Sequence, residues 1–369
     1  MNKTYCNYIK KGMFISHQGV SLCCINPYKY QLSPSEFWFG DIRKIALKNM
    51  EKENKIKGCD LCYINEEKKT PSARMFYNSL KDLEYKDLPT IIDLDFSNFC
   101  NLKCVMCNPT RSSEWAKDIG KGISSISKEM IDDLFAISDE VTKIIIQGGE
   151  PSIMKEYEYY FELLDSKNII KNIDLQVITN GTNLNKKFYD LLKKFKSLKL
   201  GISIDAFGLA NDYIRWPSHF NQIEKNVINL TDLQNVTTVE ILNSLNILSM
   251  FNYKDFLFWC KKIEKIYQKK DKNFSLIPLK VITPNRYSPF IAPIELKEKF
   301  VTDVKEFLKT ENLIINPHFK TEVLLICNRL KNNTINTKAL NNLKLSIIEL
   351  DKKRNSNIEN YIPNFYQYI

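Results

Sequence analysis

Residues 90–109 read TIIDLDFSNFCNLKCVMCNP, and two patterns meet within them. Thr90–Phe96 is a short apolar run with β-branched residues, the composition of a buried strand. Cys100, Cys104 and Cys107 follow in the next few residues, spaced C-x3-C-x2-C. Chance places such a triple in about 0.7% of chains with this cysteine content, so the spacing asks for a chemical reason. Three thiolates on one loop can each hold an iron of a 4Fe–4S cube, which leaves the fourth iron open to a small molecule. They can also form a zinc knuckle that borrows a fourth ligand from elsewhere. Spacing alone permits both.

Outward from this stretch the chain alternates. Strand-like runs fall at Thr90–Phe96, Thr142–Gln147, Asp174–Thr179, Leu198–Asp205, Thr237–Leu245 and Phe274–Ile282. Helical patterns lie between them near Lys128–Ile137, Glu156–Asp165, Lys186–Phe195, Gln222–Leu233 and Lys254–Tyr267. Cycles of about 30 to 45 residues suit βα units with right-handed crossovers, and so a parallel sheet. The expected fold class is α/β, a partial (βα)6 TIM-like barrel with a small N-terminal metal-binding domain and a helical C-terminal tail. The expected boundaries are 1–87, 88–292 and 293–369. In such folds ligands gather at the carboxyl ends of the strands. The unusual segments all fall there: Cys100–Cys107, Gly148–Pro151, Asn180–Thr182 and Ser203–Asp205.

Composition narrows the chemistry. Hydrophobic residues make up 44% of the 369, enough for a sizeable core. No run of eighteen apolar residues occurs, and the N-terminus MNKTYCNYIKKGMF has no signal-peptide core, so a cytoplasmic protein with no membrane partner is expected. The net charge of +10 is mostly lysine spread over helix faces. That pattern suits solvated surfaces, although an electropositive face for RNA or a phosphorylated substrate has the same composition. Only three histidines accompany ten cysteines, so any bound metal is expected on sulfur.

Eight of the cysteines precede residue 108. Cys59 and Cys62 form a C-x2-C pair, good for two adjacent metal ligands. Cys6 and one of Cys23 or Cys24 could complete a four-thiolate site, with Cys24 preferred. Such a centre would stabilise a small domain, as zinc or as a second cluster. Cys260 and Cys327 lie in apolar helical contexts and read as core.

These residues resemble a known family. C-x3-C-x2-C after the first core strand is similar to the signature of the radical S-adenosylmethionine superfamily. Gln147-Gly148-Gly149-Glu150-Pro151, Ile178–Thr182 and Ser203–Ala206 resemble three further segments of it, in order, within residues 88 to 290. The resemblance implies a 4Fe–4S cluster on Cys100, Cys104 and Cys107 that binds S-adenosylmethionine. It also implies contacts to that cofactor from Gly148, Gly149, Glu150 and Pro151 at the methionine amine, and from Asn180, Ser203 and Asp205 at the ribose. Met106 stands where the family often has an aromatic residue beside the adenine, and Phe99 is a further apolar neighbour. Arg215 is a candidate for a cofactor or substrate carboxylate, or for a surface ion pair.

The N-terminal segment resembles the twitch domain, related to SPASM domains that carry auxiliary clusters. Cys6, Cys23-Cys24, Cys59-x2-Cys62, Glu66, Ser72 and Arg74 match, with Asp351, Arg354 and Pro363 near the C-terminus. Here the domain precedes the core, whereas many such domains follow it. The implied function is hydrogen abstraction from a peptide or small-molecule substrate, sugar nucleotides included, with flavodoxin or ferredoxin as electron donor. An RNA-modifying enzyme of the same class and a non-catalytic zinc module are the alternatives.

Overall fold

β-branched runs become strands wherever both of their faces can be covered. A computed structural model describes residues 4–79, 86–310, 317–331 and 336–369. The chain divides into two units, Met1–Phe99 with Gly120–Ile178 and Asn185–Leu198, and Cys100–Ile119 with Thr179–Leu184 and Lys199–Ile369. The units interleave in sequence.

In the first unit the strands are β1 (Gly12–Ser16), β2 (Gly19–Ser21), β3 (Ile91–Asp95), β4 (Lys143–Ile146) and β5 (Asp174–Thr179), in the spatial order β2-β1-β3-β4-β5. β1 runs antiparallel to β2 and parallel to β3, with Gly12 opposite Ile91 and Ser16 opposite Asp95. β3–β4 and β4–β5 are parallel. All five residues of β3 are buried, because helices and neighbouring strands cover a parallel strand on both sides. Helices Lys128–Ala136 and Lys186–Leu192 start on side-chain caps from Ser127 and Asn185. Helix Lys155–Ser166 buries Tyr157, Tyr160, Phe161 and Leu164. The Tyr157 ring stacks 4.7 Å from Phe96, and its hydroxyl donates to the carbonyls of Leu94 at 3.0 Å and Gln147 at 2.7 Å. One side chain therefore ties the exits of β3 and β4 together.

β1 was not visible as part of this rhythm. Gly12-Met13-Phe14-Ile15-Ser16 is short and buried throughout, so it shows no alternation. Its crossover to β3 is filled by helices Pro34–Phe39, Asp41–Glu51, Asp60–Glu67 and Ala73–Ser79 rather than by one long helix. A Cβ at Gly12 would stand 2.7 Å from the Ile91 carbonyl oxygen, so the pairing with β3 needs glycine there.

β6 (Ser197–Ser203) begins among residues of the first unit and ends in the second. The second unit continues with β7 (Val236–Leu245) and β8 (Asn273–Lys280), parallel from Thr238 opposite Asn273 to Leu245 opposite Lys280. Helix Tyr253–Gln268 covers them with Tyr253, Phe256, Leu257 and Ile263. Helices Ile294–Thr310, Pro317–Leu330 and Thr337–Arg354 follow, and Phe300 packs 4.8 Å from Tyr253. Cys260 and Cys327 are fully buried here. The architecture is α/β with a parallel-sheet core, as expected from the alternation. Among the described residues no helix is long and apolar enough to cross a membrane.

Candidate functional site

The cysteine loop leaves the end of β3. Cys100 is buried, Cys104 and Cys107 are half-buried, and all three thiols are free of disulfides. The loop's own backbone shapes it. The Cys107 N–H donates to the Cys104 carbonyl at 3.0 Å, and the Leu102 N–H points to Cys100 Sγ at 3.4 Å. Two edges then secure it. Lys103 and Val105 donate their N–H groups to the carbonyls of Trp216 at 2.6 Å and Ile214 at 2.9 Å. The Trp115 indole donates to the Cys104 carbonyl at 2.8 Å, and the Ser113 hydroxyl to that of Cys100 at 3.2 Å.

Arg215 sits beside Cys104. Its Nη1 lies 3.9 Å from Cys104 Sγ, and its Nε donates to Asp205 Oδ2 at 2.7 Å. Asp205 is fully buried, and its Oδ1 also accepts the Ser244 N–H at 2.7 Å. Burial pushes the Cys104 thiol up to about 12 even though Arg215 pulls it down. Burial likewise raises the Asp205 carboxyl against the opposing pull of Arg215. Arg215 is thus not a surface pair. It is a buried bridge between Asp205 and the cysteine loop, which local sequence could not show because Asp205 belongs to another segment.

Asn180 is also engaged. Its Nδ2 donates to Asn101 Oδ1 at 2.9 Å, its Oδ1 accepts from the Thr182 hydroxyl at 2.7 Å, and Asn101 Nδ2 donates to Thr182 Oγ1 at 2.9 Å. This ring braces the residue after Cys100. Ser203 ends β6, half-buried. Met106 is half-buried on the loop between the second and third cysteines.

In the first unit, the glycines after β4 press onto the exit of β3. The Gly149 and Glu150 N–H groups donate to the carbonyls of Ser97 at 2.9 Å and Phe99 at 2.8 Å. Gly148 has φ +117°, and a Cβ there would meet Asp95 Oδ1 at 2.4 Å; at Gly149 it would meet the Phe99 oxygen at 2.1 Å. The glycines allow close approach, as their type suggested, and the surface approached is residues 95–99. Half-buried Phe99 takes part through its carbonyl. The Glu150 carboxylate is buried and accepts the Ser152 N–H at 3.0 Å, while Pro151 opens a short 3-10 turn. Ser152 Oγ is buried with no hydrogen-bond partner among the described residues.

A second cysteine group lies in the same unit. Cys6, Cys23, Cys24, Cys59 and Cys62 line one pocket with Tyr8, Tyr63, Arg74 and Tyr77. Three segments supply the thiols, and polar contacts hold them in place. Asn26 donates to the Lys57 carbonyl at 3.2 Å, and a Cβ on Gly58, at φ +83°, would strike its side chain. Glu66 accepts from the Ser72 hydroxyl at 2.5 Å and pairs with Arg74, whose Nη1 donates to the Tyr5 carbonyl at 3.0 Å. Burial is the main reason the thiols are pushed up, Cys23 to about 11 and Cys59 to about 12. Charge on Cys6 and Cys62 opposes that on Cys23 and Cys59. Burial also raises Cys24, and there the next influence is Asp93, to which its thiol is hydrogen-bonded. Cys23 and Cys59 each feel the charge on Cys6 and Cys62, whereas the strongest charge acting on Cys24 is that of Asp93.

Among the described residues, no three Cys, His, Asp or Glu side chains converge on a point that one metal ion could fill. A cube does not require such convergence, because each thiolate binds a separate iron. Both groups fit an iron–sulfur cluster by donor type, since every candidate ligand is a thiol outside any disulfide. Asn101, Trp115 and Asp93 escaped sequence reading; only proximity to the cysteines in the fold marks them.

Comparisons with known proteins find the following likenesses. Fe-coproporphyrin III synthase of Methanosarcina barkeri is 27% identical over 156 residues, 42% of this chain and 35% of that protein. The mitochondrial GTP 3′,8-cyclase of Arabidopsis thaliana is 33% identical over 119 residues, 32% of this chain and 29% of the relative. The match spans about a third of the length of these curated relatives. Streptococcus suis SuiB bound to S-adenosylmethionine aligns with TM-score 0.42 and 15% identity, over 82% of this chain and 70% of that one. A family model matches residues 94–247, which hold Cys100, Cys104, Cys107, Glu150, Asn180, Asp205 and Arg215, and the family is the radical SAM superfamily.

Proposed function

We propose that this chain is a radical S-adenosylmethionine enzyme whose 4Fe–4S cluster is held by Cys100, Cys104 and Cys107. The observation that carries the reading is the set of three thiols, none in a disulfide, on one braced loop after a central parallel strand, inside the matched region. When bound, the cluster and S-adenosylmethionine supply reductive cleavage to a 5′-deoxyadenosyl radical that abstracts a substrate hydrogen. The chain's own residues bind, orient and exclude water. Glu150 offers a carboxylate to the cofactor amine, and Gly148, Gly149 and Pro151 set its backbone. Ser203 and the Asn180 segment offer neutral polar groups to the ribose, and Met106 a polarizable face to the adenine. Asp205 acts through Arg215, keeping a cation beside Cys104. We assign a second cluster to the N-terminal pocket, on Cys6, Cys23, Cys59 and Cys62, in a twitch-like segment ahead of a partial barrel. Peptide and small-molecule substrates, sugar nucleotides included, fit this reading, with flavodoxin or ferredoxin as electron donor.

The test is anaerobic reconstitution followed by dithionite reduction with S-adenosylmethionine. Two cubes give about eight irons per chain and one gives about four. Formation of 5′-deoxyadenosine supports the assignment, and bound zinc with no iron would overturn it.

A further inference from the structure

The helix Thr337–Arg354 ends on the cysteine loop. Arg354 donates from Nη2 to the Lys103 carbonyl at 3.0 Å and from Nη1 to the Tyr213 carbonyl at 2.9 Å. Its guanidinium lies 5.2 Å from the Tyr213 ring and 5.4 Å from that of Trp216. The helix terminus that presents it is locked. Asn355 caps the helix in the left-handed conformation, and Asp351 accepts from the Tyr213 hydroxyl at 3.0 Å, the Ser356 hydroxyl at 2.9 Å and the Ile358 N–H at 2.9 Å. One residue back, Lys353 approaches Asp118, which itself accepts from Lys103 at 2.6 Å.

We infer that Arg354 is a positioning residue for the cysteine loop, clamping the Lys103–Cys104 peptide and placing a fixed positive charge beside the cluster that the loop holds. This rests on the cluster reading proposed above. Cys104 is the middle ligand, and its flanking peptides are held from three directions: Arg354 at the Lys103 carbonyl, Trp115 at its own carbonyl and Ile214 at the Val105 N–H. The charge has a separate effect. Arg215 is compensated by Asp205 and Lys103 by Asp118. Among the described residues Arg354 forms no ion pair with a carboxylate, and its Nε is buried without a hydrogen-bond partner. Reduction adds a negative charge to a cluster already ligated by anions, and a nearby cation with no carboxylate in contact favours the reduced form. Arg354 thus makes the cluster easier to reduce, and the C-terminal helix is what delivers it.

Redox titration of the reconstituted full-length chain tests this, following the electron paramagnetic resonance signal that changes on adding S-adenosylmethionine. The variants are Arg354→Gln and Arg354→Lys, with iron content measured on each. Arg354→Gln is expected to lower the reduced-to-oxidised ratio at a fixed poise about tenfold, or about 59 mV for a one-electron couple. Arg354→Lys keeps the charge while losing the paired donors, and should stay within about threefold of the parent. Should Arg354→Gln take up little iron, Arg354→Lys decides. Iron with a near-parental midpoint supports the inference, and a tenfold fall overturns the charge role. Iron bound in all three proteins with one common midpoint overturns the inference alone. A parent chain that binds no iron overturns the cluster reading and the inference with it.

Discussion

The two cysteine groups reach similar donor sets by opposite routes. Cys100, Cys104 and Cys107 share a single eight-residue loop, whereas the five N-terminal thiols come from three segments between Cys6 and Cys62. Their surroundings differ as well. Cys104 faces the cation of Arg215, while Cys24 faces the carboxylate of Asp93 and the other pocket thiols face one another. A short loop with cationic support suits a centre that takes an electron and keeps one iron open. A pocket with enough thiols to close its own coordination suits a centre that holds its metal without outside ligands.

The largest expected effect comes from Cys104→Ala. It should reduce 5′-deoxyadenosine formation to background and remove about four irons while the pocket keeps its own. Retained cleavage would break the contrast by denying the loop its role. Next is the pocket. Cys23→Ser should lose about four irons and Cys24→Ser should not, with cofactor cleavage persisting in both. Equal iron in the two variants would return Cys24 to the ligand set.

The metal-free thiols offer a pH readout. An ordinary thiol ionises near 8.5, so one raised to about 11, as Cys23 is, should alkylate more than a hundredfold more slowly at pH 8. Its rate should climb with pH until about 11, and that of Cys59 until about 12. Fast alkylation of both at pH 8, located by peptide mapping, would contradict the burial that raises them.

Stability separates the groups further. Arg215→Met leaves the fully buried Asp205 without its cation and should cost about 3–5 kcal/mol by denaturant titration. A loss below about 1 kcal/mol would mean that the pair does not brace the loop. Glu66→Gln weakens the partly exposed pair with Arg74 and should cost only about 1–2 kcal/mol. A larger loss there would make the pocket, rather than the loop, the more dependent on one ion pair.

Much of the fold could be read from periodicity. The strand expected at Asp174–Thr179 has those limits in the structure, and the run at Thr237–Leu245 begins one residue earlier. β1 was missed because burial on both faces erases alternation. The roles expected for Asn180 and Asp205 came from their places after strands, and that for Arg215 from its charge. In the fold each also bonds within the protein, to Asn101, Arg215 and Cys104 in turn. Side-chain partners from distant segments leave no mark on local sequence.

The sequence by itself determined the three-cysteine loop and its place after a strand, because both depend on spacing along the chain. It also determined the βα alternation, whose period is written in apolar residues. Only the tertiary structure decided that Cys6, Cys23, Cys24, Cys59 and Cys62 share one pocket, and that Asp93 stands beside Cys24. It likewise decided that Arg215 is held by Asp205 and that Arg354 returns from the far end of the chain to Lys103. Packing selects those partners, and a buried charge or thiol takes the nearest group that satisfies it, however remote in sequence.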